Sequence, residues 1–200
     1  MPLSNLTFFL TNKEKILIQQ DLNDLIDLCY ESPIFWIDSS KELLLSHDSV
    51  RMNMGWFNGM LHQALLDKLK LPNSINQNIG YQYNRDINED NPNIEYEKIE
   101  TIKSWIGNRY KLWSNSVETW MYNDDHGNII LEITPVYPKT FRDPEEDLDM
   151  QDYQNWMKSY APILIRTIPR NIAETWLKQT EDILEEIKAN IKRIHQLELE

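Results

Sequence analysis

The sequence is poor in cysteine and lacks long apolar runs, and both scarcities limit what kind of protein it is. Cys29 is the only cysteine in 200 residues, so no intramolecular disulfide can form and a reducing compartment is expected. No apolar run approaches the roughly 20 residues of a membrane-spanning helix. The segment Met1–Leu10 lacks the basic start of a secretory signal. These features predict a cytoplasmic protein that does not act at a membrane.

Common catalytic signatures are also missing. No serine stands in a G-x-S-x-G or S-x-x-K context. The segment Gly55–Gly59 resembles a glycine-rich loop but lacks the lysine and the Ser or Thr of a phosphate-binding loop. Cys29 has no neighbour that would lower its pKa, which favours a structural role. The sequence therefore identifies no catalytic residue, cofactor or metal ligand set, and it favours a non-enzymatic protein.

Acidic residues are in excess, and they are unevenly placed. The formal net charge is −12. Counting Lys and Arg against Asp and Glu gives −3 for residues 1–80, −9 for 81–152 and 0 for 153–200. A nucleic-acid partner is disfavoured because a phosphate backbone requires a basic surface, and the sequence has no basic cluster. A cationic protein is the partner that such a charge distribution favours.

The clearest structural pattern is a β-hairpin at about 117–136. Two alternating segments, Val117–Tyr122 and Ile129–Val136, flank a polar loop in which Gly127 can take a positive φ. If Tyr122 lies opposite Ile129, Glu118 and Glu132 fall on opposite faces and cannot form one site. A register shift of one residue would reverse this conclusion.

The remaining patterns predict an α+β fold. We expect an antiparallel sheet that contains the hairpin, with helices packed on one face. Residues 1–200 are predicted to form a single domain, with a helical C-terminal part from about 150 packed on it. Predicted helices span Lys13–Tyr30, Trp56–Lys70, Glu95–Trp105, Met150–Tyr160 and Ile172 to about Gln196, and predicted strands span Ile34–Ile37, Ser49–Met54, Ile79–Asn84 and Tyr110–Trp113. The pattern leaves residues 41–48 and 161–169 undecided.

Two acidic stretches flank the hairpin, whose first strand carries Trp120 and Tyr122 on one face. Charge of this kind speeds encounter with a basic protein, and aromatic anchors slow its release. The leading hypothesis is a non-enzymatic protein that captures a basic protein partner, such as an immunity or antitoxin-like inhibitor. The predicted partner-binding residues are Asp86, Glu89, Asp90, Trp120, Tyr122, Asp143, Glu145, Glu146, Asp147 and Asp149.

Two alternatives compete with this hypothesis. His47, Asp48 and His62 have the side chains of a metal-dependent hydrolase, although their spacing matches no familiar metal motif. The long C-terminal helix is the basis of the other alternative. It is longer than a small domain is wide, so either the N-terminal helix lies along it or it joins a second copy in a homo-oligomer.

Overall fold

The computed structural model of the chain describes residues 6–19, 32–73, 75, 78–88, 105–138 and 147–197. It contains two antiparallel four-stranded sheets, each with its strands in chain order. The first sheet joins β1 (Leu6–Phe9), β2 (Lys15–Ile18), β3 (Ile34–Ile37) and β4 (Glu42–Ser46), and the second joins β5 (Lys111–Ser114), β6 (Val117–Asn123), β7 (Ile129–Pro135) and β8 (Leu164–Ile168). The helices are α1 (Val50–Leu65), α2 (Ile79–Asn88), α3 (residues 105–110 of which are described), α4 (Asp147–Lys158) and α5 (Arg170–Leu197). The predicted α+β class is confirmed, with two sheets in place of one.

The predicted N-terminal helix is wrong where the structure describes it. Residues 15–18 form β2, which pairs with β1 on one side and β3 on the other. Ile16 and Ile18 are both fully buried. The two isoleucines therefore belong to a strand covered on both edges, a setting that β-branched residues suit. Residues 20–30 of the predicted helix lie outside the described residues.

Two predicted strands are helices. The Ser49 hydroxyl accepts a hydrogen bond from the Met52 N–H, so α1 begins at Val50 and absorbs the predicted strand Ser49–Met54. In α2, the Asn78 side chain accepts from the Tyr81 N–H at 2.9 Å and starts a helix where Ile79–Asn84 was predicted to be extended. In both places a capping side chain decided the conformation against a short alternating pattern.

Several other predictions are confirmed. Ile34–Ile37 is β3, Tyr110–Trp113 overlaps β5, Met150–Tyr160 overlaps α4, and the C-terminal helix is α5. The undecided stretches contain β4 and β8. Nearly all of the predicted helix Glu95–Trp105 lies outside the described residues.

The hairpin is confirmed, but its predicted register is wrong by one residue. Asn123 rather than Tyr122 lies opposite Ile129, and Tyr122 lies opposite Ile130. Asn123 extends the strand because its buried amide donates to the Ala64 carbonyl at 2.9 Å and accepts from the Leu69 N–H at 3.1 Å. Glu118 and Glu132 are consequently on the same face of the sheet, and not on opposite faces as predicted.

One continuous apolar core joins the two sheets and the helices. Phe57 of α1 lies where they meet. Its ring centroid is 5.2 Å from that of Phe8 in β1, 5.1 Å from Trp113 in β5 and 5.8 Å from Trp176 in α5. Aromatic pairs at these distances add to the stability that burial of their area provides.

The long C-terminal helix packs along α1. Its 28 residues correspond to about 42 Å. Ala173, Trp176, Thr180 and Ile187 are buried on its inner side, and Asn58 of α1 donates to the Thr180 hydroxyl at 3.0 Å. The helix therefore has an intramolecular partner, α1, that was not the predicted one. A homo-oligomer through its outer surface stays a prediction.

Candidate functional site

Buried polar groups are concentrated in the second sheet. Every residue of β6 is buried, so both faces of this central strand are covered. Five buried polar or charged residues lie on β6 and β7, namely Glu118, Thr119, Asn123, Glu132 and Thr134. Buried carboxylates are costly unless paired, so their presence makes this part of the fold a candidate functional site.

Glu132 is the most unusual of these groups, since it is a carboxyl group with no solvent-exposed surface. The Tyr122 hydroxyl donates to Glu132 Oε2 at 2.9 Å, whereas Oε1 has no hydrogen-bond partner among the described residues. Burial raises the pKa of the Glu132 carboxyl to about 7, against the opposing effects of the Tyr122 hydroxyl and the Gly80 and Ile79 N–H groups. Burial beside the carboxylate also raises the pKa of Tyr122.

Glu118 is held by a lysine. Lys111 Nζ of β5 lies 2.7 Å from Glu118 Oε1, and both side chains are largely buried. The same ammonium group lies 4.0 Å from the ring centroid of Tyr83 in α2 and 5.1 Å from that of Trp120. A cation between a carboxylate and two aromatic faces is stabilised by charge pairing and by the ring quadrupoles. This arrangement connects α2 to the second sheet.

Gly80 lets α2 approach the sheet closely. A Cβ atom placed on Gly80 would lie 2.4 Å from the Tyr160 hydroxyl and 2.6 Å from a Thr134 methyl group. Burial raises the pKa of Tyr160, and the neighbouring carboxylates of Glu118 and Glu132 add to the rise. The Tyr160 hydroxyl is therefore close to both acids, and the face of the sheet under α2 forms one compact polar cluster.

A surface groove of about 340 Å³ opens beside this cluster. We call it the Trp56 groove. It is lined by Asp48, Met52, Asn53, Trp56, Tyr83, Gly107, Asn108, Lys111, Leu112, Trp113 and Ser114. Met52 and Trp56 are 57% and 49% exposed, one helical turn apart on α1. Asp48 is also exposed, whereas Lys111 is half-buried and already paired with Glu118. The groove thus presents two exposed apolar side chains, Met52 and Trp56, with an acidic side chain in its lining.

The predicted aromatic anchors, Trp120 and Tyr122, do not line the Trp56 groove. Trp120 and Tyr122 are 0% and 4% exposed, so the expectation that they present a surface to a partner is wrong. The Trp120 indole donates to the Thr134 hydroxyl at 2.9 Å inside the sheet. The hairpin strand is covered by α2, which the alternating pattern at residues 79–84 concealed.

The side chains of the predicted acidic residues are outside what the structure describes. Asp86, Asp147 and Asp149 belong to α2 and α4, where the structure describes the backbone and not these side chains. Glu89, Asp90, Asp143, Glu145 and Glu146 lie outside the described residues. Their role in partner binding stays a prediction.

The metal-hydrolase residues are not assembled into a metal site. Within the described ranges, no group of three or more His, Cys, Asp or Glu side chains could hold a metal ion. His62 Nε2 lies 3.3 Å from Glu181 Oε1 of α5, while Asp48 lines the Trp56 groove. The described part of the chain therefore offers no support for this alternative.

Two other cavities, of about 600 and 800 Å³, each include in their lining a carboxylate that organises a loop. Asp38 in the first accepts from the Ser40 and Lys41 N–H groups. Asp124 in the second accepts from the His126 and Asn128 N–H groups. Because these carboxylates already accept backbone hydrogen bonds that organise turns, they are less free to bind a partner.

Sequence reasoning missed Lys111 and Tyr83 as site residues. Neither forms a motif, since Lys111 meets Glu118 across a strand pair and Tyr83 comes from a helix predicted as a strand. The available signal was the pair of acids on the hairpin, which a one-residue shift brings to one face.

Comparison of the chain with protein-family models, curated proteins and solved structures finds no match. Among the described residues, no helix is long and apolar enough to cross a membrane. The geometry of the chain itself is therefore the basis on which a function is assigned.

Proposed function

We propose that this chain is a non-enzymatic binding protein that captures a basic segment of a partner protein in the Trp56 groove. The observation that carries the proposal is the exposure of Met52 and Trp56 in a groove that also contains Asp48. An immunity or antitoxin-like inhibitor of a basic protein is one protein of this kind.

The groove has the side chains that binding surfaces favour. Tryptophan is enriched among the residues that dominate binding energy, and methionine adapts to irregular partner surfaces. The exposed Trp56 ring can also receive a lysine or arginine side chain, since a cation over an indole face is attracted by its quadrupole. Asp48 supplies a carboxylate in the same groove.

Residues on both sides of the first acidic stretch in the sequence line the groove. Tyr83, five residues before α2 ends at Asn88, lines the groove, and so does Gly107, two residues after the described chain resumes at Trp105. A Cβ on Gly107 would lie 3.6 Å from the Tyr83 ring, so the two walls are adjacent. Residues 89–104 contain five carboxylates and two lysines, and Glu89 and Asp90 are among them. Glu89 and Asp90 thus belong to a segment that is flanked in sequence by Tyr83 and Gly107 of the groove.

The net negative charge of residues 89–104 favours encounter with a cationic partner. Attraction between exposed charges extends over a Debye length of about 8–10 Å at moderate salt. The acidic residues would raise the association rate, and burial of Trp56 and Met52 would slow dissociation. Lys111 offers little repulsion because Glu118 neutralises it at 2.7 Å.

Binding of a lysine- and arginine-rich peptide without acidic residues tests this proposal. We expect saturable binding that weakens as salt rises, and at least a tenfold loss of affinity in Met52→Ala/Trp56→Ala. Glu→Gln and Asp→Asn changes at Glu89, Asp90, Glu95, Glu97 and Glu100 should slow association. Leu66→Ala is the control, since Leu66 is 59% exposed but does not line the groove.

Two results would contradict the proposal. One is peptide binding that is indifferent to salt and to the acidic changes. The other is an affinity that falls as much in Leu66→Ala as in Met52→Ala/Trp56→Ala. A contribution from the second acidic stretch is tested separately by neutralising Asp143, Glu145, Glu146, Asp147 and Asp149, which should lower affinity if that stretch also faces the partner.

A further inference from the structure

The polar cluster under α2 contains a carboxyl group that the proposed function does not use. Glu132 is fully buried at the centre of the second sheet, directly opposite Trp120 on β6. Its side chain faces the first turn of α2, where the N–H groups of Ile79 and Gly80 act on it. Among the described side chains, the Tyr122 hydroxyl donates to Glu132 Oε2 at 2.9 Å, and none bonds Oε1.

We propose that the protonation state of Glu132 controls the docking of α2 on the second sheet, with the helix docked while the carboxyl is neutral. Ionisation places a negative charge in a fully buried site, where the Tyr122 hydroxyl is the side-chain donor and where Gly80 brings α2 close to Tyr160 and Thr134. A buried charge without a cationic partner is costly, and the site relieves this cost by opening to water.

Among the side chains that the structure describes, none supplies a positive charge to Glu132. The described ionisable groups of the cluster around Glu132 are Tyr122 and Glu118 of β6, Tyr160 from the segment after α4, and Lys111 of β5. Lys111 pairs with Glu118, and the two tyrosines are neutral at ordinary pH because burial raises their pKa. On β8, Ile165 lies opposite Glu132 and contributes no charge.

Helix α2 is the element that can move in response. It covers the cluster through Gly80, and its Tyr83 ring lies 5.0 Å from the Trp120 ring centroid. Glu132 itself is fixed in β7, which pairs with β6 and β8 on its two sides. Undocking of α2 hydrates the carboxylate and leaves the sheet intact.

The direction of the pH effect follows from the raised pKa of Glu132. The carboxyl titrates near 4.5 when hydrated and at about 7 when α2 is docked. The docked state therefore binds the proton more tightly, and its stability is fully present below pH 4.5 and declines as pH rises to about 7. Above that range the Glu132 charge still lowers the stability of docking, by an amount that no longer changes with pH.

This device bears on the Trp56 groove, a link that depends on the proposed function. Tyr83 of α2 lines the groove, so undocking of α2 removes one wall. Capture of a basic segment would then weaken as pH rises from about 4.5 to about 7. The docking itself is measured without any partner, so failure of partner binding and failure of the switch are separate results.

Amide hydrogen exchange of residues 79–88, measured from pH 5 to 8 and corrected for the intrinsic rate, tests the proposal in the full chain. We expect protection of these amides in the wild type to fall on the order of 10- to 100-fold over this range. Glu132→Gln, which resembles the neutral acid, should keep the same protection throughout. Glu174→Gln on the exposed surface of α5 should behave as the wild type.

Equal protection of α2 at pH 5 and pH 8 in the wild type would overturn the proposal. So would an unchanged pH dependence in Glu132→Gln. Carboxyl ¹³C titration of the wild type gives a second readout that needs no variant. A Glu132 midpoint well above that of an ordinary glutamate is expected, and a midpoint near 4.5, its ordinary value, would also overturn the proposal.

Discussion

The two four-stranded sheets share the same meander order but differ in what their strands bury. In the first sheet, the fully buried side chains include Ile16, Ile18, Ile34 and Trp36, and Ser46 is the one buried polar residue of its described strands. In the second sheet, β6 and β7 bury two carboxylates, two threonines and an asparagine. The first sheet therefore serves mainly the stability of the fold, while the second also holds ionisable groups next to a surface groove.

The buried groups of the two sheets differ in how their contribution to stability depends on pH. An apolar interior is stabilised by area removed from water and does not depend on pH. A buried carboxylate requires a partner. Glu118 is paired with the cation of Lys111, whereas the side chain that bonds Glu132 is the neutral hydroxyl of Tyr122. Variants in the two sheets should therefore respond differently to pH and to paired substitution.

The largest loss of stability is expected in the first sheet. Phe8→Ala removes a ring that is 1% exposed and packs on Phe57, so it should cost about 3–5 kcal/mol of unfolding free energy. Phe9→Ala is the matched control, because Phe9 is adjacent but 55% exposed, and it should change stability by less than about 0.5 kcal/mol. Urea unfolding at pH 5 and pH 8 measures both variants. Equal losses, or a Phe8→Ala cost that varies strongly with pH, would erase the contrast between the sheets.

The next effect concerns the Lys111–Glu118 pair of the second sheet. Lys111→Met leaves a largely buried carboxylate without its cation and should cost about 2–3 kcal/mol. The double variant Lys111→Met/Glu118→Gln should recover most of this loss, since it removes the unpaired charge. Lys178→Met is the control, because the Lys178–Asp182 pair is exposed and should contribute less than about 0.5 kcal/mol. If the double variant is less stable than Lys111→Met, the charge pair is not the reason for the loss.

A smaller effect is expected where α2 meets the second sheet. Gly80→Ala forces a methyl group against Tyr160 and Thr134 and should cost about 1–3 kcal/mol. Gly59→Ala in α1 is the control, since a Cβ there meets nothing within 4 Å. Because alanine is the better helix former, Gly59→Ala should be stabilising by about 0.5–1 kcal/mol. Thermal unfolding of both variants gives the comparison, and a stabilising Gly80→Ala would mean that α2 is not tightly docked.

Much of the fold could be predicted from the sequence, and the failures have identifiable causes. The hairpin and α5 have long, regular patterns, and both are confirmed. The conformation at Ile79–Asn84 was wrong because the Asn78 cap outweighs a short alternation of two tyrosines. The register was wrong because Asn123 is fixed by Ala64 and Leu69, which are far away in sequence.

The candidate site was less predictable than the fold for the same reason. Tyr83, Lys111 and Trp56 come from three elements, and their meeting depends on how α2 covers the sheet. The chain also has seven tryptophans, and sequence pattern did not tell the exposed Trp56 from the buried Trp120. The acidic charge around residues 86–100 was visible from composition alone.

The tryptophan indole N–H resonances provide the most direct test of the central claim, which is capture of a basic segment by the Trp56 groove. They are assigned by single Trp→Phe variants and followed while the lysine- and arginine-rich peptide is added at low and moderate salt. We predict that Trp56 shifts most, that the buried Trp36 and Trp176 shift little, and that salt weakens the response. An unchanged Trp56 resonance at saturating peptide, or a response that salt does not alter, would contradict the account.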